Sequence, residues 1–128
     1  MALFQSEKKT IINRIQKRDW RSMDEMKEVF AQLSSQDLKI SDVIWMLSAT
    51  DRMTRTQASA LVLKKAMKGT MEAILKEIQS ASGPGRTHLI HLLPQLDQNQ
   101  GVLSEVEKML EHKNEEVVEA GVDIVLAF

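Results

Sequence analysis

The feature that most constrains this chain is an apolar periodicity of about 32 residues that runs through all of it. The triplet Ile11, Ile12 and Ile15 returns as Val43, Ile44 and Leu47, and again as Ile74, Leu75 and Ile78. Val106 and Leu110 continue the series, with Glu107 breaking the middle position. A second column interleaves with the first. Met26, Ala58, Ile90 and Val122 follow one another at the same step, as do Val29, Leu61, Leu93 and Val125. A turn residue stands ahead of each member of this second column: Asp19, Asp51, Gly83 and Asn114, the last at a step one residue shorter. "SATDRMTRTQASAL" (48–61) and "SASGPGRTHLIHLL" (80–93) are therefore two copies of one corner. Within each copy the spacing is that of a helical face, repeated twice. Helices of roughly ten residues are marginal alone in water, so their stability must come from neighbours. Stacked helix pairs of this kind form an α-solenoid.

Composition agrees with helices. Pro, Gly and aromatic residues are few, which disfavours a sheet-rich domain. At 128 residues the chain is one domain, 1–128, large enough to bury a core without staples. There are no cysteines, so disulfide and thiolate chemistry are excluded. The N-terminus lacks the apolar stretch of a secretory signal, and no run is long enough for a membrane span. A soluble, cytoplasmic protein is the expectation.

Capping signals divide the chain into eight segments. Ser6, Ser22, Ser41, Thr54, Thr70, Thr87, Gly101 and Asn114 stand where helices are expected to begin. Gly69 reads as the stop of the fourth segment, and "SGPGR" (82–86) as a surface loop. Ile12, Leu47, Leu61, Ile74, Leu93, Val106 and Val125 are expected in the core.

"DRMTRTQASALVL" (51–63) resembles the second helix of a HEAT repeat, with Asp51, Thr54, Arg55, Ala58 and Leu61 at the motif positions. "NEEVVEAGVDIVL" (114–126) is similar through Asn114, Val117, Gly121 and Val125, but Val118 replaces the expected Arg. The first copy has Met23 at that position, and the third has Gly83 with Thr87. The resemblance implies an all-α, right-handed α-α superhelix of about four HEAT-like helix pairs. It also implies second helices lining the inner face, and an Asp–Arg ladder between repeats that is broken where Arg is missing. The landmarks of a TPR repeat are absent, and an armadillo repeat needs a third helix.

No residue set names a reaction. His88 and His91 share one side of a helix, but a metal site usually needs three or four ligands. They read as surface or packing histidines. "GPGR" (83–86) has neither the Lys-Ser/Thr nor the preceding strand of a phosphate loop. Met23, Met26, Met46, Met53, Met67, Met71 and Met109 read as adaptable core filling. No metal or other cofactor is expected, and no catalysis.

Two functions remain. The first is a protein-interaction or scaffold module that binds a protein partner through its helical-repeat surface, with Trp20, Arg52, Arg55, Lys64 and Lys65 as candidate contacts. The alternative is nucleic-acid binding, related to the HEAT-like glycosylases of alkylated bases. Arg52, Arg55, Lys64, Lys65 and Lys68 would then meet phosphates. The net charge of −1 argues against that alternative.

Charge is nonetheless uneven. Residues 1–21 carry Lys8, Lys9, Arg14, Lys17, Arg18 and Arg21 against two acids. Residues 102–128 carry seven acids against Lys108 and Lys113. With the apolar "VDIVLAF" (122–128), this predicts that any self-association runs through the final helix. The same apolar ending, in a fold that normally closes on a polar cap, leaves two expectations: Phe128 folds back on the last pair, or the natural chain continues.

Overall fold

The computed structural model describes the backbone over residues 2–65, 67–96 and 101–128, and side chains over 7–65, 67–96 and 102–128. Among these residues the chain is all-α, with eight helices and no strand. They are α1 (Ala2–Lys17), α2 (Met23–Ser34), α3 (Ile40–Leu47), α4 (Arg52–Lys64), α5 (Thr70–Ser80), α6 (Gly83–Leu96), α7 (Gly101–Leu110) and α8 (Glu115–Ala127). The chain divides into two compact units, Met1–Leu38 and Lys39–Phe128.

In the first unit α1 packs on α2. Ile11 and Ile15 of α1 are buried, as are Met26, Val29, Phe30 and Leu33 of α2. Ser22 caps α2 by accepting from the Glu25 amide at 3.1 Å. The corner between the helices is held by Arg14, which donates to the Asp19 carbonyl at 3.0 Å and to Glu25 Oε1 at 2.8 Å.

The second unit is a run of three helix pairs. α3 packs on α4, α5 on α6, and α7 on α8. Across pairs, α3 meets α5, α4 meets α6, and α6 meets α8. The short connections 48–51, 81–82 and 111–114 make each pair an αα-hairpin. α3 buries Val43, Met46 and Leu47; α5 buries Ile74, Leu75 and Ile78. α6 has the widest apolar face, with Leu89, Ile90, Leu92 and Leu93 all buried, because it is covered by α4, α5 and α8. Pro94 cannot donate to the Ile90 carbonyl, and α6 ends two residues later.

Most of the expected core is buried, including Leu47, Leu61, Ile74, Leu93 and Val106. Two positions differ. Ile12 is only half-buried, on the flank of the face that Ile11 and Ile15 carry inward. Val125 is 43% exposed, while its neighbour Ile124 is buried. The reason is register. The turn residue Asn114 follows Gly83 at the shorter step, and the core face of the last hairpin counts from there. Gly121 and Ile124 thus replace Val122 and Val125 inward, and Met109 replaces Leu110. A slip of one residue turns a helix by about 100°.

Several boundaries move as well. α1 already spans Ser6, whose side chain lies outside the described atoms. Ser41 is inside α3, where the Asp42 carboxylate instead accepts from the Lys39 amide at 2.9 Å. α4 stops at Lys64, so Gly69 does not end it. Gly69 stands before α5 at φ +78°, a conformation that costs glycine little. "GPGR" is not a loop but the first turn of α6, with Pro84 near its start, where a missing amide hydrogen is harmless. Thr87 therefore lies inside the helix. Asn114 does cap α8, accepting from the Glu116 amide at 2.9 Å.

Candidate functional site

The site grows from the corner between α3 and α4. Asp51 accepts from the Thr54 amide at 3.1 Å and from its hydroxyl at 2.6 Å, and so starts α4. One turn on, Arg55 folds back under the corner. Its Nη1 donates to the Ala49 carbonyl at 2.8 Å and the Thr50 carbonyl at 3.0 Å. Arg55 is only 9% exposed, and its Nε is buried without a hydrogen-bond partner.

α6 approaches this corner closely. A Cβ added to Gly85 would lie 2.4 Å from the Ser48 carbonyl oxygen, so only glycine fits there. Glu77 of α5 braces the same residue, accepting from Ser48 Oγ at 3.4 Å. The approach sets Arg86, Thr87, His88 and His91 beside Arg55. Together with Gly83 and Pro84 they line an open cleft of about 690 Å³.

Two smaller depressions adjoin it. One, about 320 Å³, lies between α4 and α6 and is lined by Thr56, Ser59, Leu63, His88, His91 and Gln95 among others. The other, about 330 Å³, lies between α6 and α8 and includes Arg86, His91, Asp123 and Leu126. Arg86 donates to Asp123 Oδ2 at 2.8 Å and so ties α6 to α8. The second helices of three hairpins thus carry one grooved surface.

His88 is the most perturbed group on that surface. Its Nε2 meets Ser59 Oγ across the α4–α6 seam. Burial holds its pKa below the ordinary value; the Arg55 charge and, more weakly, His91 push the same way, against a hydrogen bond to the Arg55 backbone, which raises it. His88 therefore takes up a proton less readily than a free imidazole. It shares no cluster with other potential ligands: no group of three or more His, Asp or Glu that could hold a metal ion occurs among the described residues.

Of the five contacts expected from the sequence, Arg52, Arg55, Lys64 and Lys65 are not brought together. Trp20 belongs to the first unit, half-buried, with its ring tilted on Phe30 at 6.4 Å between centroids. Arg52 is exposed at the start of α4. Lys64 and Lys65 lie at its other end, roughly 18 Å away at 1.5 Å per residue. Lys65 borders a separate depression of about 370 Å³ with Met67, Gly69 and Thr70. Only Arg55 reaches the cleft. Arg86, His91, Asp123 and Leu126 were not among the expected contacts. The one signal is the repeat itself, which places "GPGR" in the corner position held by "DRMT" (51–54) one copy earlier.

No helix among the described residues is long and apolar enough to cross a membrane. Comparison with protein-family models, curated proteins and solved structures found no match. The HEAT-like resemblance rests on the motif positions alone.

Proposed function

We propose that this chain is a non-catalytic interaction module of HEAT-like helix pairs that binds a protein partner along the surface of α4, α6 and α8. One observation carries the reading: three adjoining depressions run across these helices and mix polar with exposed apolar groups. Leu63 on α4 and Val122, Val125 and Leu126 on α8 are exposed, Leu126 by 79%. Apolar anchors beside arginines and histidines match the make-up of protein interfaces. Repeat folds commonly bind through such extended surfaces.

The test is selection of binding peptides from a random library displayed on phage. Selected peptides should lose binding to His91→Glu and Leu126→Glu and keep it with Lys76→Glu, an exposed change on α5. Peptides that bind all three equally place the interface elsewhere. Tight binding of a DNA oligonucleotide that weakens steeply with salt, with no peptide selected, favours the nucleic-acid alternative.

A further inference from the structure

The cleft beside Arg55 has a composition that the interaction reading does not by itself require. Its charged and titratable lining is two arginines and two histidines, without a carboxylate. Asp123 engages Arg86 from α8 and lines the neighbouring depression instead. Behind the cleft stands Arg55, nine-tenths buried, with two neutral carbonyls as its hydrogen-bond acceptors and an unpartnered Nε. A guanidinium out of water is costly unless it is paired, and carbonyl dipoles compensate only part of a full charge. The first turn of α6, through Gly83 and Pro84, borders the same space and adds the partial positive charge of a helix start.

We propose that this cleft is an oxyanion-binding site for a phosphate monoester carried by a partner segment. Phosphate fits better than a carboxylate for a geometric reason. The charged and titratable side chains come from two helices, α4 and α6, and line an open cleft. A tetrahedral group with three acceptor oxygens can meet guanidinium and imidazole donors on several sides at once. Thr87 adds a hydroxyl to the lining. The opening is wide, so the group can arrive on a side chain of a larger molecule. The partner segment in this proposal rests on the interaction reading; the oxyanion site does not.

The experiment uses the full chain, inorganic phosphate and a nine-residue peptide bearing one phosphoserine. Backbone and histidine-ring NMR signals are followed during each titration, with sodium chloride matching the ionic strength. Saturable shifts at Arg86, His88 and His91 are expected with phosphate. Arg86→Gln should weaken binding at least tenfold and His91→Gln about threefold, while Lys76→Gln changes nothing. Circular dichroism verifies each fold; if Arg86→Gln is unfolded, His91→Gln decides. Shifts reproduced by chloride alone, or equal loss in the Lys76 variant, overturn the oxyanion site. A phosphopeptide that displaces phosphate, when its unphosphorylated form does not, supports both site and partner. Phosphate binding that the phosphopeptide cannot displace keeps the anion site and overturns the partner assignment. So does a single-stranded oligonucleotide that displaces the phosphopeptide outright.

Discussion

Arg14 and Arg55 do the same local job in different units. Each reaches a carbonyl at the corner of its helix pair, Arg14 forward to Asp19 and Arg55 back to Ala49 and Thr50. Their remaining partners differ. Arg14 also meets the Glu25 carboxylate at 2.8 Å and stays about a third exposed. Arg55 is buried, keeps an unpartnered Nε, and faces a cleft that Arg86 also lines. An arginine neutralised by its own corner is complete in the folded chain. One that holds its corner through carbonyls alone leaves positive potential for something else to meet. The contrast separates a structural cation from a candidate binding cation where sequence position alone would equate them.

The largest effect should come from closing the space beside Arg55. Gly85→Ala puts a methyl group against the Ser48 carbonyl, next to the two carbonyls that Arg55 holds. Overpacking against backbone should cost about 3 kcal/mol, measured by urea unfolding. A loss under about 0.5 kcal/mol would mean that α6 and the corner are not locked together. Next comes the contrast itself. Arg55→Ala strands two carbonyls and should cost about 2 kcal/mol. Arg14→Ala removes a partly exposed pair and should cost under about 1 kcal/mol. Equal losses would erase the distinction.

Asp51→Ala should cost about 1 kcal/mol, because the Thr54 amide loses its cap. No change in thermal unfolding would show that the corner holds without its carboxylate.

The smallest effect concerns His88, which faces Arg55, Ser59, Arg86 and His91. Its folded pKa lies below the ordinary 6.5, so the native state takes up the proton less readily than the unfolded chain. The stability tied to the neutral ring is present above pH 6.5 and declines as pH falls through the lower, folded value. Urea unfolding at pH 7.5 and 5.5 should show a larger acid loss for the wild type than for His88→Gln. Identical losses would mean that neither burial nor the Arg55 charge lowers the pKa of the ring.

Much of the fold was legible because it depends on local periodicity. Ser22, Asp51 and Asn114 cap helices as their types and positions predict, and the columns of Val29, Leu61 and Leu93 face the core. The final column was misplaced by one residue because residues that a core accepts stand at both candidate registers: Val122 and Val125 for one, the small Gly121 and Ile124 for the other. Hydropathy cannot choose between them, whereas the cap at Asn114 can. The site was less legible still. Arg55 was selected for its charge, but nothing local reveals that its guanidinium turns back under the corner. The loop chemistry of "GPGR" concealed a helix start, since Gly and Pro serve turns and first helical turns alike.

The sequence by itself determined that this chain forms short helices, where most of them begin, and which faces are apolar. These properties follow from the side chains' own conformational and solvation preferences over a few neighbouring residues. The tertiary structure alone decided that Gly85 meets Ser48 and that Arg55, Arg86, His88 and His91 share one cleft. It also decided that burial and the Arg55 charge lower the pKa of His88 there. Arg55 and His88 are 33 positions apart, so distance, burial and field between them exist only after α4 and α6 have packed.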